Sequence, residues 1–93
     1  MKVVKIFDIE TLNARFQLTI SEISDGKGYV GEYFGTTPKY AQVVQPGAPI
    51  PMMKDMGSGR LTNKDLAALI AVCRAEIEKR DGKIEETIER KVK

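Results

Sequence analysis

Apolar and polar residues alternate through the N-terminal half of the chain. Phe16, Leu18 and Ile20 fall on one side and Arg15, Gln17, Thr19 and Ser21 on the other. That period of two marks a half-buried strand. Asp25-Gly26-Lys27-Gly28 follows with the residues of a hairpin turn, and Tyr29 to Phe34 forms the next strand. Thr36-Thr37-Pro38 supplies a second turn, leading into a fourth strand over Lys39 to Val44. Val3 to Ile9 is the first strand, returning through Glu10-Thr11-Leu12-Asn13. Connections this short imply an antiparallel meander.

Beyond Thr62 the period changes. Leu66, Leu69, Ile70, Cys73 and Ile77 are spaced as one apolar stripe of a helix. Thr62, with Asp65 three residues later, resembles a capping box. Ile84 and Ile88 continue the stripe if Gly82 is accommodated within it, and Glu76 to Arg80 and Glu86 to Arg90 are favourably ordered pairs. The pattern predicts a single α+β domain over 1–93. A four-stranded antiparallel meander sheet occupies 1–45, a Pro/Gly loop 46–60, and one long C-terminal amphipathic helix 61–93. A helix unbroken to residue 90 is roughly 42 Å long at 1.5 Å per residue. That exceeds what one small sheet covers, so its far end wants a partner.

A helix lying on the sheet turns one face of every strand into core. The consistent choice is Val4 and Ile6, then Phe16, Leu18 and Ile20, then Val30 and Phe34, then Ala41 and Val43. The opposite face then carries Lys5, Phe7, Arg15, Gln17, Thr19, Tyr29, Tyr33, Tyr40 and Gln42, with Gly31 leaving a gap between two tyrosines. Glu32 falls on the core side of this register, which asks for an edge or a bulge there. Such a face suits unpaired nucleic acid. Bases stack on rings for about 1–3 kcal/mol each, and cations neutralise phosphate. Tyrosine is also an ordinary half-exposed strand residue with no such role.

Composition narrows the chemistry. Fifteen Lys and Arg against thirteen Asp and Glu leave +2, too little to signal nucleic acid by charge alone. There is no histidine, so His-based catalysis and His-ligated metals are excluded. Cys73 is the single cysteine, which precludes an intramolecular disulfide and a Cys-cluster metal site; its place on the apolar stripe reads as a buried small hydrophobe. The neighbouring carboxylates Glu76 and Glu78, and Glu85 and Glu86, read as solvated surface. No nucleophile, base and oxyanion donor assemble, so neither enzymatic activity nor a cofactor is expected. Gly57-Ser58-Gly59-Arg60 before the helix reads either as a phosphate-binding loop or as a connector. No apolar run reaches the roughly 18–20 residues of a membrane span, so no membrane partner is expected. The start, Met1 to Asp8, reaches a charge too early for a signal-peptide core, which points to the cytoplasm.

Two short segments carry a family likeness. Pro38-Lys39-Tyr40 opens the fourth predicted strand, and Met56-Gly57-Ser58-Gly59-Arg60-Leu61-Thr62-Asn63-Lys64-Asp65-Leu66 feeds the helix. With the order of four strands and one helix, the chain resembles the positive-cofactor-four-like single-stranded-DNA-binding domains. The resemblance implies a homodimer packed through its C-terminal helices, with sheet and loops facing unpaired strands, and it gives Lys39, Tyr40 and Arg60 the binding role. The first functional expectation is therefore a non-catalytic module for single-stranded DNA or RNA, with Lys5, Arg15, Tyr29, Tyr33, Lys39, Tyr40 and Arg60 as contacts. The alternative is a structural or protein-interaction (assembly) protein of phage or mobile-element origin, which uses the same sheet and long helix only to assemble and binds no nucleic acid.

Overall fold

A computed structural model describes residues 1–12, 14–24, 26–38 and 57–92. The fold is α+β: one helix and an antiparallel sheet of five strands. In chain order the elements are β1 (Lys2–Thr11), β2 (Ala14–Glu22), β3 (Tyr29–Pro38), β4 (Ser58–Asn63), α1 (Leu66–Asp81) and β5 (Ile84–Arg90). Across the sheet the order is β4-β3-β2-β1-β5. The meander of the first three strands agrees with the alternation. The predicted strand Lys39 to Val44 lies outside the described residues.

Two strands stand where the sequence reads otherwise. β4 occupies the end of the Pro/Gly loop and the expected helix start, pairing Gly31 with Leu61 and Tyr33 with Gly59. Its only large apolar residue is Leu61, so its alternation is faint. Thr62 is thus a strand residue, and Asp65 caps the helix: its carboxylate accepts from the Ala68 N–H at 2.8 Å.

β5 replaces the last turns of the predicted long helix, so the helix is internal and not C-terminal. Gly82, at φ 91°, leaves the helical region and donates its N–H to the Glu78 carbonyl at 2.9 Å. Ile84 and Ile88, four apart, mimic a helical stripe. In the sheet a bulge opposite Glu10 and Thr11 puts them on opposite faces, Ile84 beside Thr11 and Ile88 beside Asp8.

The core lies between α1 and one face of the sheet. Phe16, Leu18 and Ile20 of β2 meet Leu69, Cys73 and Ile77 of α1, with Phe7, Ile9, Ala14 and Tyr33 in the same cluster. The predicted inner row of β2 is correct. On β1 and β3 the phase differs from the expected one at Ile6 and Phe34: Phe7 and Ile9 lie opposite Leu18 and Phe16, and Tyr33 lies opposite Leu18, while Val4 packs against the core and Val30 is buried as expected. Charge decides both cases. The alternate set on β1 runs from Ile6 into Asp8 and Glu10, and the alternate set on β3 includes Glu32, so burying either strands carboxylates in the core.

Gly31 is not a landing place for a base. It lies under the helix, where a Cβ stands 2.7 Å from the Cys73 sulfur and 3.1 Å from Ile20. Glycine here lets α1 approach the sheet. Burial, with the Glu76 charge adding, pushes the Cys73 thiol up to about 11, so it packs as a neutral group at physiological pH.

Gly31→Ala is therefore expected to destabilise the fold by about 1–3 kcal/mol in urea denaturation, although glycine in a strand normally costs stability. On a Cys73→Ala background, which vacates the sulfur, the penalty of Gly31→Ala should shrink. An unchanged penalty would show that the contact with α1 is not its cause.

Candidate interaction surfaces

The side of the sheet turned away from α1 is ordered in rows by the register. Glu86, Glu10 and Arg15 form one row; Ile88, Asp8, Gln17, Phe34 and Ser58 the next; Arg90, Ile6, Thr19, Glu32 and Arg60 the third. Four carboxylates and three guanidiniums thus share the described part of this face. They are matched locally. Arg90 Nε donates to Asp8 Oδ2 at 2.5 Å, Arg15 stands 3.7 Å from Glu10, and Arg60 stands 4.0 Å from Glu32. Exposed pairs of this kind contribute about 0–1 kcal/mol each. Glu86 lies directly across from Glu10, a like-charge pairing that Arg15 relieves from the far side. A depression of about 420 Å³ opens here, lined by Asp8, Glu10, Arg15, Glu86, Ile88 and Arg90.

The predicted contact residues separate. Arg15 and Arg60 reach the outer face, but with β3 between their strands and each beside a glutamate. Lys5 lies on the helix side of the sheet and pairs with Glu89 at 3.2 Å. Tyr29 and Tyr33 are also on the helix side. Tyr29 packs half-buried against the core. Tyr33 is only 3% exposed: its ring meets Phe16 edge-on at 6.4 Å, carries the Arg80 guanidinium 5.8 Å from its centroid, and lies over Gly59. Lys39 and Tyr40 lie outside the described residues. The Gly57-Ser58-Gly59-Arg60 segment is not a loop at a helix N-terminus, since from Ser58 it is strand β4.

Other residues take the exposed places. Phe34, expected in the core, is 45% exposed on the outer face between Gln17 and Ser58. Ile88, expected on the helix stripe, is 52% exposed on the edge strand β5. The carboxylates that flank both in sequence, Glu32 and Glu86, are the signal that points to an outward register.

α1 has a second unmatched surface. No residue from Leu66 to Cys73 is charged, and apolar residues surround that half of the helix. Leu69, Cys73 and Ile77 are buried against the sheet. At 3.6 residues per turn, Ala67, Ala71, Ala75 and Glu78 form the ridge directly opposite, and all four are exposed. Val72 beside it is 43% exposed. Lys64, exposed just before the cap, stands at the foot of the ridge. Among the described residues no group of three or more His, Cys, Asp or Glu is placed to hold a metal ion. No helix of the described residues is long and apolar enough to cross a membrane.

No protein-family model, no curated protein and no solved structure matches the chain. Its surfaces therefore carry the functional reading alone.

Tyr33→Ala is expected to act on stability. Removing a buried aromatic side chain costs about 3–5 kcal/mol, so the urea midpoint should fall steeply. A variant as stable as the parent would place the ring outside the core.

Proposed function

We propose that this protein is a non-catalytic assembly module that associates with a second copy of itself through the outer ridge of α1. The observation that carries this reading is the ridge itself. A helix stretch apolar on both sides, as Leu66 to Cys73 is, normally has both sides covered, and here the sheet covers one. Small side chains at Ala67, Ala71 and Ala75 permit close approach of a second helix. An antiparallel copy turned about Ala71 sets Ala67 against Ala75 and Lys64 against Glu78, twice over. Neither Lys64 nor Glu78 engages another side chain among the described residues. The face is thus complementary to itself, as an isologous interface requires.

The ridge makes a positional prediction. With Cys73 replaced by alanine, an Ala71→Cys variant should form a disulfide-linked dimer under mild oxidation, because residue 71 lies on the two-fold axis. A Lys83→Cys control on the same background should stay monomeric on non-reducing gels. If residue 71 crosslinks no faster than the control, α1 is not the contact.

A second reading is supported by Phe34. It is an exposed ring on the outer face beside Gln17, with Arg15 and Arg60 in the adjoining rows, which suits one stacked base and two phosphates of a single-stranded DNA or RNA. Four carboxylates on the same face weigh against it. A labelled oligonucleotide titrated at low and moderate salt separates the readings. The assembly reading expects no binding, whereas binding that weakens with salt and is lost in Phe34→Ala would establish the second.

A further inference from the structure

Along the outer face of β5 the charge pattern reverses sign about its centre. Reading outward from Ile88, Glu86 stands on one side and Arg90 on the other, both on the outer face of the sheet. Among the described residues β5 ends the sheet, bonded to β1 on one side only. An edge strand left this way is a template for another strand, and charges on it ordinarily discourage pairing. Here they select the partner. A second β5 laid antiparallel about Ile88 brings Glu86 opposite Arg90 and Arg90 opposite Glu86, with the two Ile88 side chains meeting at the axis. A parallel copy in register instead sets Glu86 against Glu86 and Arg90 against Arg90.

We infer that β5 is a homotypic docking edge, where two copies join antiparallel about Ile88 into one continuous sheet of ten described strands. Three observations converge on a second copy as the occupant. The charges are complementary only to an antiparallel copy. Ile88, at 52% exposure, is the apolar residue such an axis buries. Arg90 uses its Nε on Asp8 of its own sheet, which holds the side chain in place and leaves the other guanidinium N–H groups for an incoming carboxylate. Glu86 engages no other side chain among the described residues. Cross-strand pairs of opposite charge and of β-branched residues are the contacts that stabilise neighbouring strands.

This inference stands apart from the α1 reading. The two surfaces are a helix ridge on one face and a strand edge at the side, so a chain using both associates beyond a dimer. The test separates them by working on an Ala71→Glu background, which places like charges on the α1 axis and removes that contact. Sedimentation velocity of this full-length protein should still show a dimer. Glu86→Arg alone and Arg90→Glu alone each set like charges opposite one another on both sides of the axis, and each should weaken association by roughly tenfold or more. An equimolar mixture of the two restores opposite charges at every pair and should recover the dimer, now as a heterodimer distinguishable by mass. Ile88→Lys, at an exposed position, should abolish association with the fold intact by circular dichroism; it serves if Arg90→Glu fails to fold. A background protein that stays monomeric up to about 1 mM overturns the inference. So does a dimer indifferent to both reversals, or a mixture that recovers nothing. Loss of association in Ala71→Glu with no effect of the β5 reversals would leave the α1 reading standing and remove this one.

Discussion

Gly31 and Cys73 meet where β3 passes beneath α1, and the rest of the arrangement depends on that approach. A side chain at residue 31 stands 2.7 Å from the sulfur, so only a bare backbone lets the helix reach Ile20 and Leu18. Once the helix is seated, the face of every strand is assigned. Tyr33, two residues along from Gly31, must point inward, and it fills the space between Phe16 and the backbone of Gly59. Glu32 and Phe34, one step out of phase, must point away. Burying Phe16, Leu18, Ile20, Leu69 and Ile77 drives this choice, at about 25 cal/mol for each Å² of apolar surface removed from water.

The outer face inherits what the core rejects. Asp8, Glu10, Glu32 and Glu86 stand out of phase with the apolar cluster that fills the helix side, and Arg15, Arg60 and Arg90 stand beside three of them. Such pairing lowers the long-range field of the face to near neutrality. A surface of this kind offers little to attract a polyanion from a distance, but it discriminates among close neighbours by the order of its charges.

Both self-complementary surfaces follow one physical rule. A two-fold contact needs a charge order that inverts about its centre, with a small or apolar group on the axis. Ala71 is flanked by Lys64 and Glu78, and Ile88 by Glu86 and Arg90. In each case the centre lies on an element whose other side is already engaged, α1 by the sheet and β5 by β1. The elements are thereby held rigid before any partner arrives, which lowers the ordering cost of association.

The α+β class, the β1–β3 meander, the inner row of β2 and the apolar stripe of α1 were legible because each rests on a local period that burial then rewards. Cys73 reads as core for the same reason. Phase was not legible. On β1 and β3 both alternate sets contain apolar residues, and the choice turns on where the carboxylates of distant rows end up and on the space left by one glycine. β5 was read as helix because isoleucines four apart fit either element; only the bulge opposite Glu10 and Thr11 shows that they serve opposite faces. β4 has almost no local signal, since a stretch with one leucine and one glycine becomes a strand through pairing with β3. Periodicity along the chain thus determined which segments bury a face. Which face, and what was left outside for a partner, was decided by contacts between segments far apart in sequence, because the energy of burying a charge or fitting a sulfur over a glycine exists only once those segments meet.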